Sequence, residues 1–249
     1  MNRHLNFTQT FLSSKKNFYK FIGLLFVVKL IYLFFIPITP QEAYYWFYSQ
    51  NMDWSYFDHP PMAAYSIWLG TNLFGDNIFG VKFMAVVWYL LTNILLYKTT
   101  LRYTEAYLPN QNKNSLAFLS MILLNLTLFA HIYSITIVPD TPLIFFWLLV
   151  VFAIQERIIT GNKNWWFLAG VALGLGLVSK YTAVAMIGAI FSVLLIGILA
   201  YFYHTRGVLL GFVLSQFLLF LVGLAFLRKL PISVNIIRSI IDKVVLRKL

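Results

Sequence analysis

The chain has 249 residues, a net charge of +11 and no cysteine, and apolar residues make up 60% of it against only 11% charged. Soluble globular chains carry about 25% charged residues, so this composition excludes one, and apolar content this high excludes disorder. Without cysteine there is no disulfide framework, zinc–thiolate centre or cysteine nucleophile.

The expected fold class is all-α, a polytopic transmembrane helix bundle. A spanning helix needs about 20 apolar residues. About seven segments meet or approach this: 20–38, 79–99, 115–137, 140–159, 164–179, 182–203 and 207–227. Pro37 and Pro40 punctuate the first. The 37–78 connection has no Lys or Arg but holds Glu42, Asp53, Asp58 and Asp76. Lys and Arg gather instead in the N-terminal tail (Arg3, Lys15, Lys16, Lys20) and in later connections (Lys98, Arg102, Lys113, Arg157, Lys163). The positive-inside rule then puts the N-terminus in the cytoplasm and the 37–78 loop outside. Cations flanking apolar runs are an orientation signal, and nucleic acid is not an expected partner.

Within the first outer loop, 42–50 and 61–74 read as short aromatic helices lying at the lipid–water interface, where Trp and Tyr satisfy both an apolar ring and a polar edge. Residues 1–227 form the expected transmembrane domain. Residues 228–249 form a basic amphipathic tail: Ile236, Ile237, Ile240, Ile241, Val244 and Val245 make one stripe. The tail's six cations favour the inside, whereas seven spans place it outside.

Ionisable groups at membrane depth are costly and therefore functional candidates. Glu42, Asp58 with His59, Asp140 and Lys180 all fall at outer turns. Each also has a plain structural role open to it. Asp140 before Thr141-Pro142 suits a helix N-cap. Lys180 and Lys82 suit snorkelling. His59 suits a turn, and Glu42 a solvated first-turn acid. Lys29, near mid-span, demands a polar partner. As a set, these groups suit an anionic lipid headgroup. Cations absorb the charge of a phosphate leaving group, and a carboxylate takes the proton of an attacking hydroxyl or amine. Carboxylates also suit magnesium or manganese.

Four ordered motifs then carry a resemblance: Thr39-Pro40-Gln41-Glu42-Ala43-Tyr44-Tyr45, Asp58-His59-Pro60-Pro61, Pro139-Asp140-Thr141-Pro142 and Gly174-Leu175-Gly176-Leu177-Val178-Ser179-Lys180-Tyr181. Together they resemble the GT-C membrane glycosyltransferases of the family 39 group, which includes protein O-mannosyltransferases and lipid A aminoarabinose transferases. The resemblance implies transfer of a sugar from a polyprenyl-phosphate donor to a lipid, glycan or protein acceptor at the extracytoplasmic face, with inversion. By carry-over, Glu42 and Asp140 are the acids nearest the chemistry. Glu42, Asp58 and Asp140 are the metal-side acids, and His59, Lys180 and Lys82 are the donor-phosphate contacts.

Two departures stand out. Gln41 replaces the Asp that usually opens the first motif, which implies a slow or inactive enzyme if that Asp is the base. The chain is also shorter than typical relatives, which implies a short or truncated member. Two rival readings are a non-catalytic lipid-phosphate-binding protein or partner subunit, and a small transporter lined by Lys29, Asn93, Asn125 and Gln216.

Overall fold

The computed structural model describes residues 11–184 and scattered positions onward to 214. The first of two compact units, Met1–Val184, holds nearly all of them; the second is Ala185–Leu249. The expected spans 182–203 and 207–227, Gln216 and the 228–249 tail lie largely or wholly outside the described residues.

Local signals start each helix. Ser14 caps α1 (Lys15–Tyr32) by accepting from the Asn17 amide. Thr39 opens α2 (Pro40–Ser49) with a capping box and proline in the first turn. After α3 (Met62–Phe74), Asn77 caps α4 (Ile78–Tyr107). Asn112 caps α5 (Lys113–Asn125), and Thr127 caps α6 (Leu128–Tyr133). Gly161, at φ +71°, turns the chain from α7 (Asp140–Thr160) to α8 (Asn164–Ser179), a left-handed conformation that glycine adopts without penalty. A 3₁₀ turn, Tyr181–Val184, follows.

The described residues contain helices and no strand, as the composition led one to expect. The two short helices expected at 42–50 and 61–74 are present as α2 and α3. The seven-span count is not reproduced. Among the described residues two helices are long and apolar enough to cross a membrane: α4 with 30 residues and α7 with 21. At 1.5 Å per residue they reach about 45 and about 31 Å. The 18-residue α1 carries Lys15, Lys16, Lys20 and Lys29, and α8 has only 16 residues. The segment expected as a single span at 115–137 is broken into α5 and α6. The break has a local cause. Thr127 donates to Leu124 O and accepts from the Ala130 amide, so one side chain ends one helix and starts the next.

α4 is the central post, touching α1, α3, α5, α6 and α7, while α7 and α8 pair as an antiparallel hairpin. Phe18 and Ile22 of α1 pack on Tyr97, Phe118 and Met121. Tyr45, Ile67, Val81, Ala85, Ile137 and Val138 form the core beneath the α2–α3 end. Lys98, Arg102, Lys113, Arg157 and Lys163 therefore sit at the end opposite Asp140 and Lys180. There Arg102 grips the buried Glu156 through two bonds, 2.7 and 2.9 Å, tying α4 to α7. Outward, α1 exposes Leu24, Val27 and Ile31, and α8 exposes Trp166 and Phe167.

Lys29 has its polar partner. Its Nζ lies 3.0 Å from His131 Nδ1 and 5.7 Å from the centre of the Tyr89 ring. The Tyr89 hydroxyl donates to Asn125 Oδ1, and Asn125 in turn donates to Asn93 Oδ1 at 2.6 Å. Of the polar side chains that suggested a transporter path, Asn93 and Asn125 thus bond to each other and Lys29 to His131.

Gly70 and Gly80 let α3 and α4 touch backbone to backbone, since a Cβ at Gly70 would collide with the Gly80 carbonyl, and one at Gly80 with that of Gly75. Gly80→Ala is expected to destabilise the protein by about 1–3 kcal/mol through overpacking. Thermal unfolding in detergent checks this, with the open-space Gly170→Ala, which has nothing within 4 Å, expected to match wild type.

Candidate functional site

Three turns meet at the α2–α3 end of the bundle: the start of α2, the 134–139 connection ahead of α7, and the end of α8. Between them lies a cleft of about 230 Å³, lined by Gln41, Tyr45, His59, Ile132, Tyr133, Thr136, Val138, Pro139, Asp140 and Lys180.

Asp140 and Lys180 face each other across it. Lys180 Nζ lies 2.8 Å from both Asp140 oxygens, and each side chain keeps about a third of its surface exposed (30% and 32%). Asp140 does not act as the helix cap that its sequence context suggested. The cap position is Pro139, with no side-chain cap bond. Thr141 makes the turn instead, donating to Thr136 O and accepting from the Val138 amide. That leaves the carboxylate to the cleft. Lys180 follows the last turn of α8 in extended conformation, which directs it to Asp140 rather than along the helix.

Glu42 and Lys82 differ from expectation. Both are fully buried, and neither lines the cleft. Lys82 Nζ lies 2.6 Å from Glu42 Oε2, and the same oxygen accepts from the Thr39 amide (2.9 Å) and hydroxyl (3.0 Å). Oε1 accepts from the Ile137 amide at 3.1 Å, and Lys82 also donates to Ile135 O at 3.3 Å. Glu42 is thus the third residue of the capping box turned inward, and its oxygens are occupied. The pair joins α2, α4 and the 134–139 connection. Its neighbour Gln41, one position and about 100° around the helix, is the residue that reaches the cleft.

Asp58 sits to one side, held by hydroxyls. Tyr44 donates to both its oxygens at 2.8 Å and Tyr48 to Oδ1 at 2.7 Å, the two phenols themselves being in contact. These bonds, Tyr48's first, keep the Asp58 carboxyl below its ordinary pKa. His59 Nε2 lies 3.6 Å from Asp58, and its ring meets Tyr45 edge-on with centroids 5.4 Å apart. Tyr45 is pushed up to about 12, by burial first and then by Asp58. It remains a neutral phenol throughout the physiological range.

All six expected site residues thus come to one end of the bundle, where His59, Asp140 and Lys180 share one cleft, Asp58 sits to one side, and Glu42 and Lys82 are buried beside it. The metal expectation does not fit. Among the described residues no three His, Asp or Glu side chains converge on an ion. Glu42 is saturated, Asp58 is held by phenols, and Asp140 is paired with Lys180. Sequence reasoning assigned no site role to Tyr44, Tyr45, Tyr48, Tyr133 or Thr136. The i, i+4 spacing of Tyr44 and Tyr48, beside Gln41 and Tyr45, was the available signal.

Lys82→Met leaves a buried carboxylate without its cation, and is expected to cost about 3–5 kcal/mol. The double variant Glu42→Gln with Lys82→Met removes both charges and is expected to recover most of that loss. Thermal unfolding of the three proteins checks this. Equal losses in the single and double variants would show that the pairing is not what matters.

With this geometry in hand, comparison with known proteins is direct. The family described as dolichyl-phosphate-mannose-protein mannosyltransferase matches residues 58–220. The lipid A galacturonosyltransferase RgtD of Rhizobium johnstonii is 28% identical over 161 residues, covering 63% of this chain and 32% of that protein. The chain thus spans about a third of that relative's length. No solved structure matches it significantly. The order of the four motifs, the turns that carry them and a match over more than half of the chain agree: this protein belongs to the dolichyl-phosphate-mannose-protein mannosyltransferase family of GT-C glycosyltransferases.

Proposed function

We propose that the chain transfers a sugar from a polyprenyl-phosphate donor to an acceptor at the extracytoplasmic face of a bacterial inner membrane, with Asp140 and Lys180 as the working pair. The single observation that carries this is the cleft in which that acid and that lysine meet, both partly exposed, at the end of the bundle opposite the Lys- and Arg-rich connections. That charge partition supports an outward-facing cleft through the positive-inside rule.

The chemistry follows from the groups present. The acceptor hydroxyl or amine attacks the anomeric carbon, and the bond from that carbon to the phosphate oxygen breaks with its electron pair leaving on phosphate. Lys180 neutralises the charge gathering on the phosphate. Asp140 accepts the acceptor's proton. Before the donor arrives, Lys180 is paired with Asp140. When a phosphate competes for the ammonium, the carboxylate is released toward the acceptor. His59, at the cleft wall beside Asp58, serves as a second phosphate contact on this reading. Gln41 offers an amide to sugar hydroxyls where relatives carry an acid, so the proton falls to Asp140. The sugar is not specified by these residues. The galacturonosyl group in the name of the Rhizobium relative is one candidate, and the mannosyl group of the family description is another.

The test uses purified protein in nanodiscs with polyprenyl-phosphate sugars and membrane acceptors. Asp140→Asn is expected to lower transfer by at least about 100-fold while donor binding persists. Lys180→Ala is expected to weaken donor binding by about 10–100-fold, the worth of a charge-assisted hydrogen bond. Transfer at the wild-type rate by Asp140→Asn would remove Asp140 from the mechanism. Donor binding with no transfer, by wild type and by Gln41→Asp alike, would mark a lipid-phosphate-binding protein instead.

A further inference from the structure

A second cavity lies at the far end of α2. It has about 330 Å³ and is lined by Ser49, Gln50, Trp68, Thr71, Asn72 and Asp76, with Met52 at its rim. The cleft takes Gln41 from the start of α2, and this cavity takes Gln50 from its end. Along the helix the two are about 13 Å apart.

Its chemistry is distinct from that of the cleft. Trp68 is 44% exposed, so part of its indole surface is open. Asn72, one helical turn on, donates to Trp68 O at 2.7 Å, which orients the amide and leaves its carbonyl as an acceptor. Trp46 donates to Asp76 Oδ1 at 2.6 Å, which fixes that carboxylate and leaves Oδ2 to a ligand. Thr71 and Gln50 add a hydroxyl and an exposed amide. An aromatic platform ringed by fixed acceptors suits a pyranose, which presents C–H groups on one face and hydroxyl donors around its edge. No Lys or Arg occurs anywhere in 37–78, and no histidine lines the cavity. The fixed charge there is the Asp76 carboxylate, which repels an anionic sugar and attracts an ammonium.

We propose that this cavity is a carbohydrate subsite for a neutral or amine-bearing hexose ring, holding a glycan portion of the acceptor away from the transfer cleft. This assignment rests on the glycosyl-transfer reading for its role but not for its ligand chemistry. A ring seated on Trp68 would leave a short oligosaccharide to extend along α2 toward Asp140.

The test is ligand-observed NMR, with tryptophan fluorescence in parallel, on the full chain in nanodiscs. The probes are methyl glycosides of a neutral hexose, a 2-amino-2-deoxyhexose and a hexuronate. The first two are expected to bind, and the hexuronate at least about tenfold more weakly, the effect of one unfavourable charge contact. Trp68→Ala is expected to abolish binding, and the exposed Asn72→Ala to weaken it by about tenfold. Lys180→Ala should leave glycoside binding unchanged while weakening that of polyprenyl phosphate. Trp68→Ala should do the reverse, so a failed subsite and a failed cleft give opposite patterns. Absence of binding by all three glycosides, binding indifferent to Trp68, or equal binding of the hexuronate would each overturn the assignment.

Discussion

The buried ion pair between Glu42 and Lys82 organises the site end of this molecule. Two charges without water are costly, and they are tolerated when further hydrogen bonds complete the shell around them. Here the Thr39 amide and hydroxyl, the Ile137 amide and the Ile135 carbonyl do so. The Thr39 bonds are local to the capping box, while the Lys82–Glu42, Ile137–Glu42 and Lys82–Ile135 bonds cross between segments far apart in sequence. The start of α2 and the turn ahead of α7 are therefore fixed to α4 and to each other. Asp140 lies three residues beyond Ile137, and Gln41 one residue before Glu42. The cleft walls are positioned by a charge pair that the cleft does not contain.

A second constraint is the partition of charge along the bundle. Glu42, Asp53, Asp58, Asp76 and Asp140 lie at one end, and Lys98, Arg102, Lys113, Arg157 and Lys163 lie at the other. The acids at that end differ in how they are held. Glu42 is paired with Lys82, Asp58 is held by two phenols, and Asp76 by an indole, and the neutral donors orient a carboxylate without cancelling its charge. Asp140 is paired with a lysine that shares its exposure. A headgroup phosphate approaching the cleft meets that lysine.

Much of this was legible in sequence. Thr39-Pro40 with Glu42 three residues later announces a capped helix, and Gly161 announces the α7–α8 turn. The gathering of Asp58, Asp140 and Lys180 at one end followed from counting spans and loops, and it holds even though the 115–137 run is two helices. It holds because the break at Thr127 leaves the chain's direction across the bundle unchanged by the time it reaches Asp140. What sequence could not give was the facing of adjacent residues. Gln41 and Glu42 differ by a single position, and which one points inward depends on Lys82, forty residues on. Asp140 looked like a cap because caps are read from local spacing. The Thr141 hydroxyl took that task through bonds to Thr136 and Val138. Long-range pairing decides these cases, and it leaves no periodic trace.

The inward turn of Glu42 also changes the meaning of Gln41. Had Glu42 faced the cleft, the amide beside it would be a bystander. With Glu42 withdrawn, Gln41 and Asp140 both line the cleft, which carries one carboxylate instead of two. Two carboxylates in close quarters raise one another's proton affinity, and one of them tends to be held neutral. Replacing one by an amide removes that repulsion. In place of a second acid, the Gln41 amide still donates and accepts hydrogen bonds. On the proposed chemistry, the departure at Gln41 therefore moves base duty wholly to Asp140 and makes the Lys180 contact the element that governs when that base is free. On that same proposal, the residue that suggested an impaired enzyme from sequence becomes the reason a single acid–lysine pair performs both halves of the transfer.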